Sequence, residues 1–192
     1  MEIKSATFVK GIIGTDAISG DKYPQIAFVG RSNVGKSSVI NSLVLSKGLV
    51  KSSSTPGKTK EINFFLINKE NYFVDLPGYG FARMGVKGAE KIRKLILWYL
   101  GSGEAKVKLV VLIVDLGVKP MPHDKEMADI LRAENINFVV VGNKVDRLNQ
   151  HERAHNTRQL ESVLGTTILP YSARTKAGRE NLLDVISQSC SR

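Results

Sequence analysis

Between an apolar run and a helical pattern, the chain carries the sequence Gly30-Arg31-Ser32-Asn33-Val34-Gly35-Lys36-Ser37. It fits GxxxxGK[ST] and stands directly after a predicted strand and before a predicted helix, the context that this motif requires. Glycines let backbone N–H groups curve around phosphate oxygens, and the helix N-terminus adds positive potential. We expect Lys36 to neutralise the β- and γ-phosphates and Ser37 to bind Mg²⁺. The motif therefore predicts a site for a nucleoside triphosphate with magnesium, and leaves kinase, ATPase and GTPase open.

Apolar runs of strand length alternate with helical patterns on both sides of this motif. Strands are predicted at residues 26–29, 62–67, 72–76, 109–114 and 138–141, and helices at 37–44, 87–100 and 125–133. The second and third strands are joined by only four residues, too few for a parallel crossover, so they must pair as an antiparallel hairpin. We therefore predict an α/β P-loop NTPase fold of the small-GTPase type, a three-layer sandwich around a mostly parallel six-stranded sheet with one antiparallel edge strand.

Length and charge narrow the classes of protein further. The 192 residues suit a single domain, 1–192. The chain has 28 Lys and Arg residues against 18 Asp and Glu residues, which gives a net charge of +10. That excess favours polyanionic partners. No apolar run approaches the roughly 18 residues of a membrane span, and the first residues lack the apolar core of a secretory signal, so we expect a cytoplasmic protein. We also expect it to be monomeric. Cys190 is the single cysteine, which excludes intramolecular disulfides.

Two further motifs stand at predicted strand ends. Asp75-Leu76-Pro77-Gly78 fits DxxG; its carboxylate would hold a water of the Mg²⁺ shell, and the Gly78 N–H would meet the γ-phosphate. Asn143-Lys144-Val145-Asp146 fits NKxD, at the sheet edge where open α/β folds bind ligands. A carboxylate at Asp146 accepts hydrogen bonds from guanine N1–H and its 2-amino group, whereas adenine would leave it unpaired. Alone, each motif also fits a helix cap or turn; their order after the P-loop favours guanine nucleotide.

These motifs carry a resemblance to a known family. Taken together with Ser172-Ala173-Arg174, they look like a translation-factor-type GTPase domain. The runs at residues 30–38, 55–59, 63–65 and 75–82 resemble more closely the EngB (YihA/YsxC) family of small bacterial GTPases, of the TrmE-Era-EngA-EngB-Septin-like class. The resemblance implies GTP hydrolysis as a molecular switch, a role in assembly of the large ribosomal subunit, and a requirement for normal cell division and septation.

The resemblance also implies roles for individual residues. The hydroxyl of Thr59 would complete the Mg²⁺ coordination that Ser37 begins, although Thr55 would be an equal candidate without it. The loop before the hairpin would line the nucleotide through Gly57, Lys58, Thr59, Lys60 and Glu61. Ser172, Ala173 and Arg174 would contact guanine through backbone N–H groups. Lys36, Thr59 and Gly78 would be the catalytic groups.

Two positions bear on the rate of hydrolysis. Ras-like enzymes place a water-orienting Gln directly after the DxxG glycine, and this chain has Tyr79 there, so we predict slow intrinsic hydrolysis. Asn33 resembles the P-loop asparagine with which some related GTPases hold K⁺, an ion that takes the place of an arginine finger. The alternative is a loop hydrogen bond, and the sequence leaves both interpretations open.

Basic side chains are concentrated in and beside the two predicted mobile loops, at 47–60 and 77–88. They are Lys47, Lys51, Lys58 and Lys60 at the first loop, and Arg83, Lys87, Lys91, Arg93 and Lys94 at the second. Ordering of these loops by GTP would present cations to RNA phosphates. With the large ribosomal subunit or its rRNA as the partner that the resemblance implies, we expect salt-sensitive association. Two alternatives remain: a division switch that binds protein without RNA contact, and a P-loop kinase.

Overall fold

The computed structural model describes residues 1–13, 23–46, 48–50, 61–80, 85–101 and 105–190. Its strands are β1 (Ala6–Ile13), β2 (Gln25–Gly30), β3 (Glu61–Ile67), β4 (Asn71–Asp75), β5 (Val107–Asp115), β6 (Phe138–Asn143) and β7 (Ile168–Pro170). Its helices are α1 (Lys36–Leu43), α2 (Gly85–Gly101), α3 (Pro122–Ala133), α4 (Gln150–Leu164) and α5 (Arg179–Cys190).

The strands of the described residues form one sheet in the order β1-β3-β4-β2-β5-β6-β7. β2, β4, β5, β6 and β7 run parallel, while β3 pairs antiparallel with both β4 and β1. The predicted hairpin is therefore confirmed as β3 and β4. Its short turn has Asn68 and Lys69 at φ values of 52° and 58°, the left-handed backbone that the tightest hairpin turns require.

The sequence-based prediction of the sheet was wrong in two details. The described residues contain seven strands rather than six, and the antiparallel strand β3 is not at the edge, because β1 covers it. The β1–β3 register shifts between Phe8 and Lys10, so Val9 is bulged, and Phe8 and Val9 are 54% and 46% exposed. This bulge breaks the alternation of buried and exposed side chains by which a strand is recognised in sequence.

Helices cover both faces of the sheet and form the predicted three layers. α1 and α5 pack on one face through the buried side chains of Val39, Ile40, Leu43, Leu182, Leu183 and Ile186. α2, α3 and α4 pack on the other through Ile92, Ile96, Tyr99, Met127, Leu131, Leu160 and Leu164. The apolar stripe predicted for residues 87–100 is confirmed in α2, which begins at Gly85, inside the stretch predicted as a loop.

Parallel strands bring their carboxyl ends to one edge of the sheet, where β2, β4, β5 and β6 end next to each other. Phe28 of β2 is paired with Asp75 of β4, and Asp115 of β5 with Asn143 of β6. The loops that carry the predicted motifs leave from these ends. Among the described residues, no helix has both the length and the apolar content needed to cross a bilayer.

Candidate nucleotide-binding site

The P-loop joins β2 to α1 through a backbone shape that glycine makes possible. A Cβ on Gly30 would lie 2.5 Å from the Ile113 carbonyl oxygen, so no side chain fits there. Asn33 and Gly35 have φ values of 69° and 96°, which turn successive backbone N–H groups toward one side. α1 begins at Lys36 with no side-chain cap and no acidic residue in its first turn. Its first N–H groups are therefore available to an anionic ligand.

Lys36 and Asp75 meet where β2 and β4 end. Their side chains form a buried ion pair, Nζ to Oδ1, with the residues 9% and 3% exposed. A buried carboxylate and a buried ammonium are retained when each satisfies the other or a ligand. The ammonium suits a phosphate group. The Ser37 hydroxyl on the first turn of α1 is an oxygen donor of the kind that Mg²⁺ prefers, and the carboxylate is an acceptor for a water of the Mg²⁺ shell. The residues present thus fit a magnesium-bound polyphosphate.

The DxxG loop is hydrogen-bonded to the P-loop through its backbone. Ser32 N donates to Tyr79 O at 3.0 Å, and Tyr79 N donates to Gly30 O at 3.3 Å, so Arg31 and Tyr79 form a parallel bridge. Gly78 lies so close to Ser32 that a Cβ would stand 3.0 Å from Ser32 Oγ and 3.2 Å from its backbone nitrogen. The glycine of the DxxG motif is therefore set directly against the phosphate-binding loop.

The side chain of Tyr79 is held by helix α3. The side chain is buried, and its hydroxyl donates to Asp124 Oδ1 of α3 at 2.9 Å. Burial raises the pKa of the Tyr79 hydroxyl well above its ordinary value, and the adjacent Asp124 charge adds to this rise. The side chain at the position of the Ras-like glutamine is thus a neutral phenol held by a helix.

Asn143 connects the NKxD motif to the P-loop and to the last loop of the site. Its Nδ2 donates to Val34 O at 2.9 Å, and its Oδ1 accepts from Ala173 N at 3.1 Å. A Cβ on Gly35 would stand 2.5 Å from Asn143 Nδ2, so the glycine also lets the two loops approach. This buried amide fixes three segments of the chain relative to one another.

Lys144 adopts a left-handed backbone, with φ 72°, and its side chain returns toward the P-loop. Its Nζ donates to Asn33 O at 2.8 Å and to Asp115 Oδ2 at 2.6 Å. The other oxygen of Asp115 accepts from Gly117 N at 2.9 Å. The extended Lys144 side chain therefore forms one wall of the site, between the end of β5 and the P-loop.

Asp146 presents its carboxylate at the far end of the site. Ser172 Oγ donates to Asp146 Oδ1 at 2.6 Å, and Arg174 Nη1 lies 4.0 Å from Oδ2. The Ser172 hydrogen bond is the main cause of a lowered pKa of this carboxyl group, with smaller contributions from nearby arginines. Asp146 is therefore an ionised acceptor with oxygen lone pairs left for a ligand that offers two N–H donors.

The structure brings together residues 30–37, 75–78, 143–146 and 172–174. Val34, Leu76 and Val145 are buried in the core, so these three offer only backbone groups to a ligand. Arg31 likewise turns its side chain away from the P-loop cradle and packs against Gly80. Gly57, Lys58, Thr59 and Lys60 lie outside the described residues. Glu61 opens β3, and its carboxyl group lies beside Gly11 of β1.

Sequence reasoning missed two acidic residues of this region. Asp115 could have been noticed, because it ends a strand beside the NKxD strand, where parallel pairing places it opposite Asn143. Asp124 gives no such signal: it stands in the first turn of α3, where an acidic residue is explained by helix capping preferences alone. The contact with Tyr79 exists only in the folded chain.

Comparison with known proteins places the chain in a family. Residues 25–144 match a family model described as 50S ribosome-binding GTPase, and residues 101–192 match that of the elongation factor Tu GTP binding domain. The chain is 43% identical over 190 residues to the probable GTP-binding protein EngB of Clostridium kluyveri. The aligned region covers 97% of this chain and 96% of that protein. It is 45% identical over 186 residues to the protein of the same name from Chlorobaculum parvum, with 96% of each chain covered.

Solved structures agree with this assignment. The crystal structure of a probable GTP-binding protein EngB matches with a TM-score of 0.75 at 26% identity, over 87% of this chain and 98% of that one. The resemblance noted in the sequence is thus confirmed, and a GTPase is favoured over the P-loop kinase alternative. The chain belongs to the EngB family of GTP-binding proteins, and it is an enzyme that binds guanine nucleotide and hydrolyses GTP.

Proposed function

We propose that this GTPase is a cytoplasmic molecular switch that assists assembly of the large (50S) ribosomal subunit, and that normal cell division and septation require it. The match of residues 25–144 to a model described as 50S ribosome-binding GTPase carries the proposal. The net charge of +10 supports it, because ribosomal RNA is the polyanion that such a partner exposes. A monomer is the expected form of the protein.

We assign the phosphate and metal contacts to the P-loop, the DxxG motif and the loop before β3. Backbone N–H groups of residues 30–37 and the Lys36 ammonium would bind the β- and γ-phosphates. Ser37 and Thr59 would hold Mg²⁺ directly, and Asp75 would bind one of its water ligands. Bound there, Mg²⁺ would offset the negative charge of the phosphates. The buried pairing of Lys36 with Asp75 supports this assignment, since it puts both groups at one point.

Catalysis on this assignment is electrostatic and positional. Lys36 and the Gly78 N–H stabilise charge on the γ-phosphate oxygens, and Thr59 helps to close the site around them. The residue after Gly78 is Tyr79 rather than glutamine, and its hydroxyl donates to Asp124, so this side chain does not orient the attacking water. This favours the predicted slow intrinsic hydrolysis. A K⁺ ion held by the Asn33 side chain would supply the positive charge that an arginine finger provides in other GTPases. If so, replacing Na⁺ by K⁺ should raise the hydrolysis rate of wild type. The same replacement should leave the rate of Asn33→Ala unchanged.

We assign the choice of base to Asp146. Its carboxylate would accept from guanine N1–H and the 2-amino group. The loop of residues 172–174 would lie against the same base, held in place by the hydrogen bond from Ala173 N to Asn143 Oδ1. Lys144 would pack along the base plane, because its side chain spans the gap between Asn33 and Asp115. Adenine would leave the carboxylate unpaired, a loss that a site built for two hydrogen bonds does not tolerate.

The switch would act through the two loops that border the γ-phosphate, predicted at residues 47–60 and 77–88. Contacts of Thr59 and Gly78 to the γ-phosphate would order them in the GTP state and release them after hydrolysis. Lys51, Lys58 and Lys60 of the first loop lie outside the described residues. On α2, Lys91 is exposed, while Arg93 pairs with Glu126 at 3.0 Å. Lys91 is therefore the better candidate for contact with RNA.

The test is gradient sedimentation of cell lysate at low and high salt, with GDP or a non-hydrolysable GTP analogue. Co-migration with large-subunit particles only with the analogue and at low salt would support the assembly role. Equal co-migration with GDP would contradict the switch. Absence from ribosomal fractions in every condition would favour the alternative, a protein-binding division switch without RNA contact.

A further inference from the structure

A cluster of polar side chains joins the nucleotide site to α3, and we name it the Asp124 clamp. Its members are Asp124 of α3, Tyr79 of the DxxG loop and Arg31 of the P-loop. The Tyr79 hydroxyl donates to Asp124 Oδ1 at 2.9 Å, and Arg31 Nη1 lies 3.8 Å from Asp124 Oδ2. Three segments distant in sequence thus meet at one carboxyl group.

Burying the polar groups of the Asp124 clamp costs free energy, and apolar packing does not account for their presence. Asp124 is 3% exposed, and burial raises the pKa of its carboxyl group despite the opposing effects of the Tyr79 hydrogen bond and the Arg31 charge. Within the described part of the chain, Arg31 Nε is buried without a hydrogen-bond partner. Apolar side chains would fill this space at a lower cost, so a buried polar cluster here points to a role other than stability.

Tyr79 transmits the position of Asp124 to the phosphate site. Its backbone is hydrogen-bonded to Gly30 and Ser32, and its neighbour Gly78 lies so near Ser32 that a Cβ would stand 3.0 Å from Ser32 Oγ. A ring held at its hydroxyl and a backbone held on both sides leave the Gly78 N–H little freedom. Gly80, which has φ 71°, lies beside the Arg31 side chain. The contact between the DxxG loop and the P-loop therefore extends one residue beyond Tyr79.

We propose that Asp124 is a positioning residue for GTP hydrolysis: through the Tyr79 hydroxyl and the Arg31 guanidinium, it fixes the DxxG loop so that the Gly78 N–H meets the γ-phosphate. The inference rests on the role assigned above to Gly78. GDP has no γ-phosphate, so the clamp affects hydrolysis and binding of a GTP analogue while it leaves GDP affinity almost unchanged.

The experiment compares kcat for GTP hydrolysis, Kd for GDP and for a non-hydrolysable GTP analogue, and Tm in a set of variants. Tyr79→Phe removes only the hydroxyl, and Asp124→Ala removes the acceptor. Asp124→Asn keeps an oxygen for the Tyr79 hydroxyl and removes the charge. Tyr99→Phe is the matched control, since Tyr99 is a fully buried tyrosine of α2 whose hydroxyl donates to Gln25 Oε1 at 2.5 Å, outside the site.

We expect Tyr79→Phe and Asp124→Ala each to lower kcat and the affinity for the GTP analogue about tenfold, with Kd for GDP within about threefold of wild type, because misplacing a reacting group by a fraction of an ångström already slows catalysis. The double variant Tyr79→Phe/Asp124→Ala should fall no further than Asp124→Ala, since both act through one contact. Asp124→Asn should retain kcat within about threefold, and Tyr99→Phe should change Tm alone.

The proposal fails if Tyr79→Phe keeps full kcat, if Kd for GDP rises in the same proportion as kcat falls, or if Tyr99→Phe lowers kcat equally. If Asp124→Ala does not fold, Tyr79→Phe against Tyr99→Phe decides the question. Gly78→Ala separates this inference from the proposed site. Alanine keeps the N–H but must displace it, because its Cβ would stand 3.2 Å from Ser32 N. Unchanged kcat in Gly78→Ala would therefore show that hydrolysis does not depend on the position of this N–H, which would refute the role of Gly78. A lowered kcat there with normal kcat in Tyr79→Phe would refute only the clamp.

Discussion

Individual carboxyl groups of this site are tuned in opposite directions by their surroundings. Asp146 accepts a hydrogen bond from Ser172 and has a lowered pKa, which suits a group that binds a base as an anion. Asp124 is buried against a phenol and has a raised pKa. The difference follows from which effect is larger at each group: the Ser172 hydrogen bond outweighs burial at Asp146, whereas burial outweighs the hydrogen bond from Tyr79 at Asp124.

Asp146→Asn should change which base the site accepts. The amide replaces one acceptor oxygen by a donor, so guanine loses a hydrogen bond and meets an N–H group opposite its own. We expect Kd for GDP to rise about 100-fold or more, while xanthosine diphosphate, with a carbonyl in place of the 2-amino group, binds better than GDP. Fluorescence titration with both nucleotides measures this. Unchanged preference for GDP would contradict the assignment of Asp146.

Asp124→Asn should make the protein more stable at neutral pH. A raised pKa in the folded state means that ionised Asp124 opposes folding; this penalty is absent below the unfolded carboxyl pKa of about 4 and is complete above the raised value. Among the residues that the structure describes, the charged or titratable groups that act on Asp124 are Arg31, Tyr79 and His123, and burial outweighs them. The Tm of the variant should therefore exceed that of wild type at pH 7, with the gain vanishing near pH 4.

Asp129→Asn on the same helix is the control for this stability measurement. Lys125 and Arg132 hold the pKa of the exposed Asp129 carboxyl below its ordinary value, so its ionised form favours folding. Neutralising it should give no gain in Tm at pH 7. A lower Tm for Asp124→Asn than for wild type at that pH would show that the charge of Asp124 stabilises the fold.

At the scale of elements, α1 is anchored at its C-terminal end by a distant helix. Arg179, the first residue of α5, donates from Nε to Leu43 O at 3.0 Å and from Nη2 to the same oxygen at 2.7 Å, with a further contact to Ser42 O. These bonds satisfy carbonyl groups that a helix end leaves without partners. They also hold the Arg179 guanidinium at the C-terminal end of α1, where the helix dipole is negative, while the N-terminal end of α1 would bind phosphate.

Arg179→Ala should therefore destabilise the protein through α1. Loss of a charged donor to part-buried carbonyls costs about 1–3 kcal/mol, and we expect a fall in unfolding free energy of that size by urea denaturation. The preference for guanine over adenine should not change, because Asp146 lies on another loop. Arg153→Ala is the control, since Arg153 makes an exposed hydrogen bond to Leu148 O and should cost less than about 1 kcal/mol. Equal losses would contradict this account of α1.

At the scale of the molecule, the positive charge is spread over several surfaces, and only part of it lies near the nucleotide loops. Lys91 of α2 is exposed on the helix that follows the DxxG loop, whereas Lys106 is exposed before β5, at the opposite edge of the sheet. A ligand-controlled contact with RNA needs cations whose position depends on the loops. Lys91 meets this condition better than Lys106 does.

Lys91→Glu should weaken association with the large subunit in the presence of a GTP analogue. Removing one phosphate contact lowers the slope of log affinity against log salt by about one, and reversal of the charge adds repulsion. Sedimentation across a salt series measures both effects. Lys106→Glu makes the same change in net charge and should bind like wild type; equal weakening by the two variants would indicate a general charge effect without a docking surface.

The sequence by itself determined those features of the protein that depend only on residues close together along the chain. The glycines and Lys36 of residues 30–37, the short turn between β3 and β4, and the apolar stripe of α2 follow from local backbone geometry and from the period of the side chains. The order of the three nucleotide motifs was enough to predict guanine nucleotide. Strand β1 escaped prediction because its bulge at Val9 disturbs the period.

Only the tertiary structure decided which distant side chains meet. Tyr79 and Asp124 are 45 residues apart, and Lys144 and Asp115 are 29 apart. Each contact depends on strand order, on register and on the packing of α3 against the sheet, none of which a local pattern specifies. The physical reason is that the free energy of a buried polar contact depends on all the groups around it, and the fold alone brings those groups together.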